Sequence, residues 1–527
     1  MLDRLCLAPH ALARWAAESP DSVALEHVEG ERFTFLELHD EALRWAGAFQ
    51  TAGVDAGTHV ATFLPNASVA HRSMLALGWI RAVEVPLNAA YQGRMLRYAL
   101  DHSDSTVLAV TSELLDRVAA VSGDLPQLAT VVVVDGRSRP IPGGARVVGL
   151  AELLDAAAPA TGLRGPDPWD VAYLLFTSGT TGPSKAVVSP WGSVVYQMTS
   201  WMPEEMVGRG QGLYCAFPLF HNSGRSSFNL TLTRGARFVY RDKFSATHVW
   251  DDVRRTNCTG LGLVGPMTSL VWSAEPRADD ADNPVRCVGL GPMIPEMEAF
   301  ERRFGVQVVT CYGQTEIGTP VATGVDHGPW ANCGKVRQDY PWPEVRLVDE
   351  LDEPVPRGEV GEMVVRTAEP WALNLGYYKM PEESVRAWRN GWFHTGDAFR
   401  QDEDGWFYFV DRMKDAIRRR GENISSFEVE NYVVEHPLVI DCAAVGIGTA
   451  HGDEEVLVAV VVKDGFDPAK LIAFLEPRMP RFMVPRYVRA MDDLPRNETT
   501  ARVRKQYLRD EGVTASTWDR EARAATS

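Results

Sequence analysis

A sequence of 527 residues is too long for one ordinary domain and long enough to bury a large core. Its 45% hydrophobic and 23% charged residues are typical of a globular protein in water, and no apolar run approaches the roughly 18 residues that a membrane span needs. The formal net charge of −17 disfavours a nucleic-acid-binding surface, because that role requires basic residues to neutralise phosphates. We therefore expect no membrane and no nucleic-acid partner.

The seven cysteines lie far apart and form no C-x-x-C pair, so we expect neither a disulfide framework nor a structural zinc site. The N-terminal segment MLDRLCLAPHALARW has an acidic third residue and no long apolar stretch, which disfavours a signal peptide. A cytoplasmic protein is therefore expected. The 8 lysines are few beside 45 arginines, so most cationic positions of this chain carry arginine.

The pattern of apolar residues changes along the chain. Residues 120–170 are rich in Ala, Pro, Gly and Asp, which predicts loosely connected surface structure. Between about 171 and 365, short apolar runs alternate with segments of helical period, a pattern typical of parallel βα units. From about 355 to 410, short strands broken by Gly, Asp and Trp predict a small antiparallel sheet or barrel.

A new block of the sequence follows Arg412. It contains a predicted helix over 426–435, a strand over 456–462, a helix over 468–479 and a basic tail. We place the domain boundary at 411–415, with an N-terminal domain over 1–411 and a C-terminal domain over 416–527. The expected fold class is α/β, with a large N-terminal domain of βα subdomains plus a small antiparallel barrel, and a small α+β C-terminal domain.

The strongest local signal is TSGTTGPSK, which follows the apolar run VAYLLF. Its polar and glycine residues are Thr177, Ser178, Gly179, Thr180, Thr181, Gly182, Ser184 and Lys185. Backbone N–H groups and hydroxyls in such a loop can surround phosphate oxygens, and Lys185 adds a compact charge. The G-x-x-x-x-G-K-[ST] order of a Walker loop is missing, and the plainer alternative is a flexible turn. We expect a nucleotide polyphosphate here.

Five further segments carry polar or glycine residues in a characteristic order. PLFH ends at His221 and precedes Asn222, GLGPMIP contains Gly289, Gly291 and Pro292, CYGQTE contains Tyr312, Gly313, Gln314, Thr315 and Glu316, HTGD ends at Asp397, and DRMKD contains Arg412 and Lys414. Taken singly, each segment has a plainer interpretation. His221 would be a packing or surface residue, GLGPMIP and HTGD would be ordinary turns, and CYGQTE would be a strand end followed by a helix cap at Thr315. Arg412 and Lys414 would be solvated surface charges. Together with the loop, these segments resemble the superfamily of acyl-CoA synthetases, nonribosomal-peptide adenylation domains and firefly-type luciferases, over about residues 10–510.

This resemblance implies a role for each motif. Tyr312 would offer an aromatic face to adenine, Thr315 a hydroxyl to phosphate, and Glu316 a carboxylate to Mg²⁺. The implied nucleotide site further includes the loop from Thr177 to Gly182, Lys185, Gly289, Gly291, Pro292, Gly313, Gln314, Asp397 and Arg412, the last two at the ribose. The implied acyl pocket includes His221, Asn222 and Gly313. Lys414 corresponds to a hinge within 412–415, about which a mobile C-terminal domain turns.

The C-terminal block begins RRRGENISSFEVE. Its three leading arginines are expected to create positive potential within an acidic protein, and Gly421 allows the close approach of a slim ligand. In relatives that make thioesters this loop lines the pantetheine tunnel, which implies that Arg420, Gly421 and Glu422 bind coenzyme A. The segment RGENIS most resembles the carnitine- and crotonobetaine-CoA ligase branch. The plainer alternative is a basic helix-capping turn.

The implied reaction uses ATP, Mg²⁺ and coenzyme A to convert a carboxylic acid into a thioester. Carboxylate attack on ATP forms an acyl-adenylate and releases pyrophosphate, and a thiol then displaces AMP. Lys185, Thr315, Glu316 and the loop backbone would stabilise charge on the phosphates.

The sequence narrows the acid only in part. Amino-acid-activating relatives place Asp after the phenylalanine of the PLFH-like segment, whereas here His221 follows Phe220, so an α-amino acid is not expected. Small residues that leave room for a bulky acid are Ser223, Gly224, Ser226, Gly289 and Gly291. Luciferase chemistry and the loading of a carrier protein are alternatives. No phosphopantetheine-bearing domain follows the basic tail, which favours free coenzyme A, and the sequence leaves a homodimer open.

One segment departs from the family. Relatives read L-P-[KR]-x-x-x-G-K where this chain reads LPRNETTARVRK, so Ala501 and Arg502 stand at the Gly and Lys positions after one extra residue. In relatives, that lysine bridges the substrate carboxylate and the phosphate during adenylation. Either Arg502 or Lys505 supplies the cation, or adenylation is impaired because arginine is larger, planar and differently hydrated. In the second case the protein thioesterifies a preformed acyl-adenylate, supplied by a partner adenylating ligase.

Overall fold

The chain divides into two compact units. The computed structural model describes residues 2–136, 138–177, 184–198, 202–291, 293–294, 296–325, 327–336, 344–413, 415, 417–419, 422–449, 454–496 and 503–524. The N-terminal unit takes the described residues of 1–177, 185–345 and 365–393, and the C-terminal unit takes those of 346–364 and 394–527. Within these ranges, no helix combines the length and apolar character required to cross a membrane.

The first half of the N-terminal unit alternates strands and helices. In chain order these are α1 (Ala8–Glu18), β1 (Val23–His27), β2 (Arg32–Thr34), α2 (Phe35–Thr51), β3 (His59–Phe63), α3 (Ser68–Ile80), β4 (Val83–Pro86), α4 (Gly93–His102), β5 (Val107–Val110), α5 (Leu115–Ser122), β6 (Thr130–Val133), β7 (Arg146–Gly149), α6 (Leu150–Ala156), β8 (Val171–Thr177), β9 (Lys185–Pro190) and α7 (Trp191–Met198). β3 to β9 form a seven-stranded sheet in the order β7-β6-β5-β3-β4-β8-β9. All its neighbouring strands are parallel except β8 and β9.

The prediction of loose surface structure over 120–170 is wrong. That stretch contains β6, β7 and α6, and Val131, Val132 and Val133 have no exposed surface. Buried apolar runs of this kind are typical of parallel sheets whose two faces are both covered. The Ala, Pro and Gly residues connect these elements.

The second half of the N-terminal unit supplies most of a nine-stranded sheet. Its elements are β10 (Gly212–Cys215), α8 (Asn222–Arg234), β11 (Arg237–Tyr240), α9 (Val249–Thr256), β12 (Gly260–Val264), α10 (Gly265–Trp272), β13 (Cys287–Gly291), α11 (Met297–Phe304), β14 (Gln307–Gln314), β15 (Gly318–Ala322) and β16 (Lys335–Val336). The strand order is β16-β15-β14-β13-β12-β10-β11-β1-β2. Strands β10 to β14 pair in parallel, as the predicted βα units require, whereas β15 and β16 are antiparallel additions.

A small sheet follows, in the order β17-β18-β20-β19 with β21 beside β20. Its elements are β17 (Glu344–Val348), β18 (Val360–Arg366), α12 (Pro381–Ala387), β19 (Trp388–Arg389), β20 (Trp392–Gln401) and β21 (Phe407–Arg412). The β19–β20 and β20–β21 pairs are antiparallel, as expected from the sequence. Much of this sheet belongs to the C-terminal compact unit, which includes residues 346–364 and 394–412. The domain boundary at 411–415 stays a prediction.

The C-terminal unit continues with a four-stranded sheet packed against helices. Its elements are β22 (Ile417–Arg419), β23 (Glu422–Ile424), α13 (Ser426–Val434), β24 (Val439–Gly448), β25 (Glu454–Val462), α14 (Pro468–Leu475), β26 (Tyr487–Met491), α15 (Lys505–Glu511), β27 (Trp518–Asp519) and α16 (Arg520–Ala524). The predicted helices and strand over 426–435, 456–462 and 468–479 correspond to α13, β25 and α14. The pairing of β24 with β25 is antiparallel and leaves Ala443, Ala444 and Val445 fully buried.

Helix α8 differs from the other core helices because it is polar yet buried. Its sequence is NSGRSSFNLTLTR, and Arg225, Ser227, Asn229 and Thr231 are all at most 1% exposed. Burying a charge is costly unless it is paired, so the partners of Arg225 are important for how this part of the unit is held together. Gly235, at φ +66°, ends the helix in the left-handed region that glycine tolerates.

Candidate active site

Lys185 begins β9, the second strand of an antiparallel hairpin. β8 and β9 pair so that Thr177 lies opposite Lys185, and the residues of β8 from Ala172 to Leu175 are buried. The Lys185 side chain is 31% exposed and therefore accessible from solvent. The predicted loop residues Ser178, Gly179, Thr180, Thr181 and Gly182 lie outside the described residues.

The side chain of Lys185 contacts two groups that the motifs did not predict. Its Nζ lies 2.5 Å from Oε2 of Glu383 and 4.7 Å from the ring centroid of Tyr377. The Tyr377 hydroxyl donates a hydrogen bond of 3.0 Å to Oε1 of Glu316. Tyr377 therefore links the predicted phosphate lysine to the predicted magnesium carboxylate, two residues that are far apart in the sequence.

Backbone pairing explains why Tyr377 lies beside β9. Val187 and Tyr377 form an antiparallel bridge, and the N–H of Tyr378 donates to the Ala186 carbonyl at 2.8 Å. The N–H of Val188 donates to the Gly376 carbonyl at 3.0 Å. This backbone pairing between residues 375–378 and β9 fixes the register of Tyr377 along the strand. It thereby brings the Tyr377 ring under the ammonium group of Lys185.

The segment from Tyr312 to Glu316 turns directly from β14 into β15. A bulge lies between Tyr312 and Gln314, and the Gln314 amide nitrogen donates to the Tyr312 hydroxyl at 3.0 Å. A Cβ on Gly313 would lie 2.3 Å from the carbonyl oxygen of Gly318, so only glycine fits this close backbone approach. The helix cap expected at Thr315 is wrong, because a three-residue turn leads into strand β15 instead of a helix.

Two side chains anchor the backbone of this turn. The Gln197 amide nitrogen donates to the Thr315 carbonyl at 3.0 Å. Asn374 donates to the Glu316 carbonyl from its backbone N–H at 3.0 Å and from its side chain at 2.7 Å. With both carbonyls bound inside the unit, the side chains of Thr315 and Glu316 are held at fixed positions on the turn, where each is partly exposed.

Burial sets the protonation states around Lys185. Burial, followed by the nearby charge of Glu316, raises the pKa of the Tyr377 hydroxyl above its usual range, so this group stays a hydrogen-bond donor. The hydrogen bond from Lys185 lowers the pKa of Glu383. At neutral pH the Glu383 carboxyl is therefore ionised and the Tyr377 hydroxyl is neutral.

A buried polar network extends from α8 towards the same turn. The Nη1 atom of Arg225 donates to Glu84 at 2.9 Å, and its guanidinium carbon lies 4.9 Å from the ring centroid of Tyr173. The Tyr173 hydroxyl donates to Oε1 of Gln197 at 2.8 Å, and Gln197 holds the Thr315 carbonyl. Sequence reasoning missed this network, because Glu84, Tyr173 and Gln197 lie in segments without a recognised motif.

The predicted acyl-pocket residues lie at the start of α8. His221 caps the helix by accepting a hydrogen bond of 3.2 Å from the Ser223 N–H at its Nδ1. Asn222 is the first residue of the helix and is partly buried. A Cβ on Gly224 would lie 2.4 Å from the Pro218 carbonyl, so this glycine is required by the local backbone whatever its effect on pocket size.

The predicted glycines of the adenine side belong to β13. Gly289 pairs with Val309 of β14, and Gly291 ends the strand. A Cβ on Gly291 would make an ordinary contact, 3.5 Å from the Cys311 carbonyl oxygen. Pro292 lies outside the described residues.

The C-terminal unit brings the two predicted ribose-binding residues together. Asp397 of β20 pairs directly with Arg412 of β21, and Arg412 Nε lies 3.5 Å from Asp397 Oδ1. Only 6% of the Asp397 side chain is exposed, against 30% for Arg412. Upstream on β20, His394 Nδ1 lies 2.9 Å from Glu362 Oε2. Glu362 also accepts a hydrogen bond of 2.9 Å from the Gly396 N–H, which holds the strand just before Asp397.

The three arginines before Gly421 do not all contribute positive potential. Arg419 is 3% exposed, pairs with Glu455 at 2.6 Å and donates to the Phe482 carbonyl at 2.8 Å. Its charge is therefore neutralised inside the unit, which corrects the expectation drawn from the sequence. Glu422 pairs with Arg419 through the backbone of β23, whereas Lys414, Arg420, Gly421, Ala501 and Arg502 lie outside the described residues.

Lys505 has partners within the C-terminal unit. Its Nζ lies 2.8 Å from Oε1 of Glu430 and donates to the Ser426 hydroxyl at 2.5 Å. Glu430 also accepts from the Ala444 N–H at 2.8 Å, and burial raises the pKa of its carboxyl. Lys505 thus links the start of α15 to α13 and β24.

Sequence comparison identifies the family to which these two units belong. The model of the AMP-binding enzyme family matches residues 12–378, and the model of its C-terminal domain matches residues 428–500. The chain belongs to the AMP-binding enzyme family. This membership confirms the resemblance drawn from the motifs.

Curated relatives of this AMP-binding enzyme include the crotonobetaine/carnitine–CoA ligase of Salmonella typhi. The two sequences are 32% identical over 496 residues, which cover 90% of this chain and 94% of that ligase. The match therefore extends through both units and confirms the predicted link to the carnitine-CoA ligase branch.

Solved structures with the same fold include complexes with ATP and with AMP. ATP-bound MatB from Rhodopseudomonas palustris is 25% identical, with a TM-score of 0.81 over 96% of this chain and 99% of that chain. O-succinylbenzoate coenzyme A synthetase (MenE) from Bacillus subtilis, in complex with AMP, is 23% identical, with a TM-score of 0.81 over 95% of this chain and 98% of that chain. The latter has also been solved with its acyl-adenylate OSB-AMP, and with ATP and a magnesium ion. The expected fold is thereby confirmed, and the expected use of ATP or AMP and of coenzyme A is confirmed for the family.

The residues of this AMP-binding enzyme fit a magnesium ion that arrives with a nucleotide. Among the described residues, no group of three or more His, Cys, Asp or Glu side chains could hold a metal by itself. Mg²⁺ usually takes one or two carboxylates plus phosphate oxygens and water, so the single carboxylate of Glu316 suits that mode. The assignment of Glu316 and of the other predicted site residues stays a prediction.

Proposed function

We propose that this AMP-binding enzyme is an AMP-forming acid–thiol ligase, which joins a carboxylic acid to coenzyme A through an acyl-adenylate. The observation that carries the proposal is the cluster of Lys185, Tyr377 and Glu316 beside the glycine turn that begins at Gly313. A lysine, a carboxylate and a turn open to solvent are what polyphosphate and its magnesium ion require. The similarity to a CoA ligase along most of the chain supports the same conclusion.

The chemistry divides between phosphate binding and carboxylate activation. The acid oxygen attacks the α-phosphorus of ATP, the bond to pyrophosphate breaks, and the acyl carbon gains AMP as a leaving group. Lys185 balances the negative charge of the polyphosphate, while Tyr377 orients the carboxylate of Glu316 through its hydrogen bond. Mg²⁺, when bound, supplies further charge neutralisation at the phosphates. Asp397 offers two oxygens to the ribose hydroxyls.

The second half-reaction replaces AMP by a thiol. The coenzyme A sulfur attacks the acyl carbon, the bond to AMP breaks, and the thioester leaves. We assign the coenzyme A contacts to Arg420, Gly421 and Glu422, and the rotation between the half-reactions to Lys414. Lys414→Pro is expected to block the change of conformation while the N-terminal unit stays folded, because proline fixes φ. Equal loss of both half-reactions without unfolding would count against this hinge.

The substrate is proposed to be an organic acid without an α-amino group. His221, and not a carboxylate, follows Phe220 and caps α8, so this position offers no counter-charge for an ammonium group. The related Salmonella enzyme is named for crotonobetaine and carnitine, which favours polar or bulky acids as the first candidates. Loading of a carrier protein is the alternative.

We further propose that the adenylating half-reaction is impaired. Ala501 and Arg502 replace the glycine and lysine of the family motif, and arginine does not reproduce an ammonium point charge between two anions. The contacts of Lys505 with Glu430 and Ser426 support this view, because Lys505 would have to leave both partners before it could serve as a substitute. In the alternative, Arg502 supplies the cation and the enzyme completes both steps.

The two views differ in a direct experiment. The purified chain is given coenzyme A with either acid plus ATP or synthetic acyl-adenylate, and thioester is measured by mass spectrometry over a panel of acids. Product from the adenylate alone supports impaired adenylation and a partner adenylating ligase. Efficient product from acid plus ATP contradicts the impairment and leaves the ligase assignment intact. Replacing coenzyme A by a carrier protein tests the alternative acceptor, and a homodimer is tested by light scattering.

A further inference from the structure

The lysine assigned to ATP phosphate already has an anionic partner in this chain. Lys185 Nζ lies 2.5 Å from Glu383 Oε2, and the two side chains are 31% and 30% exposed. The ring of Tyr377 lies below the ammonium group, at 4.7 Å from its centroid. A phosphate that binds Lys185 must therefore share its ammonium group with Glu383 or displace the Glu383 carboxylate.

Glu383 is held in this position by its own helix. It lies in the first turn of α12, and Arg386 Nη1 contacts its second oxygen at 2.6 Å. Ser384 accepts a hydrogen bond of 2.8 Å from the Tyr377 N–H, which ties the helix start to the segment beside β9. Lys185 also lowers the pKa of Glu383, so the carboxylate remains ionised at neutral pH. The neighbouring Glu382 is exposed and provides a matched control.

We propose that Glu383 is a positioning residue that binds Lys185 before nucleotide does and competes with the β- and γ-phosphates of ATP, and with pyrophosphate, for its ammonium group. This inference rests on the proposed function, which assigns polyphosphate to Lys185. An ammonium group is a compact charge, and two anions in short contact with it repel each other. Polyphosphate binding therefore displaces Glu383, and the return of Glu383 to Lys185 favours the departure of pyrophosphate.

The size of the effect follows from the exposure of the pair. Ion pairs that are open to solvent contribute little, so removing the competitor is expected to tighten polyphosphate binding by about two- to tenfold. AMP lacks the β- and γ-phosphates, and its affinity is expected to stay the same. This difference between ATP and AMP separates competition at Lys185 from a general change in the shape of the site.

The test compares Glu383→Gln with Glu382→Gln by calorimetric titration of ATP, AMP and pyrophosphate in the presence of Mg²⁺. We expect Glu383→Gln to bind ATP and pyrophosphate more tightly by about two- to tenfold and to bind AMP as the wild type does. Glu382→Gln is expected to change none of the three affinities. Glu383→Asp, which keeps the charge, is expected to restore weaker ATP binding than the glutamine variant. Circular dichroism checks that each variant is folded.

Unchanged or weaker ATP binding by Glu383→Gln would overturn the inference, as would an equal gain for ATP and AMP. Lys185→Ala distinguishes this failure from a failure of the proposed function. If Lys185→Ala weakens ATP binding while Glu383→Gln has no effect, only the competition is wrong. If Lys185→Ala leaves ATP affinity unchanged, the phosphate assignment and the inference both fall.

Discussion

The buried ion pair between Arg225 and Glu84 offers the sharpest stability prediction. Arg225 is 1% exposed and Glu84 5%, and the two guanidinium nitrogens Nη1 and Nη2 lie within 2.9 Å of the two carboxylate oxygens. Thr62 donates a further hydrogen bond of 2.7 Å to Glu84. Breaking such a pair leaves an uncompensated buried charge, which costs about 3–5 kcal/mol.

The two single variants are expected to differ. Glu84→Leu removes the carboxylate partner of the buried Arg225 charge, so the full cost of about 3–5 kcal/mol is expected. Arg225→Met leaves a carboxyl that can take up a proton and still accepts from Thr62, so its cost is at the lower end. The double variant removes both charges and is expected to lose only about 0–2 kcal/mol, chiefly from the unpaired Thr62 hydroxyl.

Thermal unfolding measures these differences. For a unit of this size, about 4 kcal/mol corresponds to a fall in Tm of about 4–6 °C, so the single and double variants are separable by calorimetry. The exposed pair of Arg277 and Asp279 is the control, and Arg277→Met is expected to leave Tm unchanged. A double variant as unstable as the sum of the single variants would refute the argument, because it would show that the two charges are not coupled.

Three further predictions concern the remaining contacts. Glu316→Gln and Lys185→Ala are each expected to slow the adenylate formation that the wild type retains by about a hundredfold, since each removes one contact to the phosphates; unchanged pyrophosphate release in both would contradict the nucleotide site. Tyr377→Phe keeps the ring under Lys185 but removes the donor to Glu316, so pyrophosphate release is expected to fall by about two- to tenfold with ATP binding unchanged, as steady-state kinetics would record. Lys505→Met is expected to destabilise the C-terminal unit by about 1–3 kcal/mol in urea unfolding, because it leaves the Glu430 carboxylate without its cation. That deficit is expected to shrink as the pH falls, since burial raises the pKa of Glu430 and protonation below it removes the buried charge. A loss of adenylation with no loss of stability would instead identify Lys505 as the catalytic cation.

Short motifs predicted those parts of the site that are local in sequence. The run CYGQTE predicted Gly313 and Glu316 as members of one candidate site, because they lie only a few positions apart in the sequence. Tyr377 and Glu383 had no such signal, since their partners Glu316 and Lys185 are 61 and 198 positions away. Only the fold brings them together, through pairing along β9. The available signal in the sequence was GYYKMPEES, in which two tyrosines precede a proline that begins a helix.

The errors in the sequence analysis share a physical origin. The stretch 120–170 was assigned by composition, although the run TVVVV is a β-branched segment of the kind that forms a buried strand. Arg419 was counted as a surface charge because a sequence does not show which side of a strand faces a core, and Glu455 is 36 positions away. The predicted cap at Thr315 failed because the turn leads into a strand, which local propensity does not exclude.

The pairing along β9 also closes an edge of the seven-stranded sheet. β9 is the last strand in that sheet, and an uncovered strand presents a row of unpaired N–H and C=O groups to any other extended chain. Residues 375–378 accept and donate along this row, with Leu375 donating to the Val188 carbonyl at 2.9 Å. The segment that positions Tyr377 beside Lys185 therefore also covers the edge strand and protects it from pairing with another chain. The same few backbone groups thus cover this edge of the sheet and set the position of Tyr377, so a substitution that disturbs the pairing is expected to affect both.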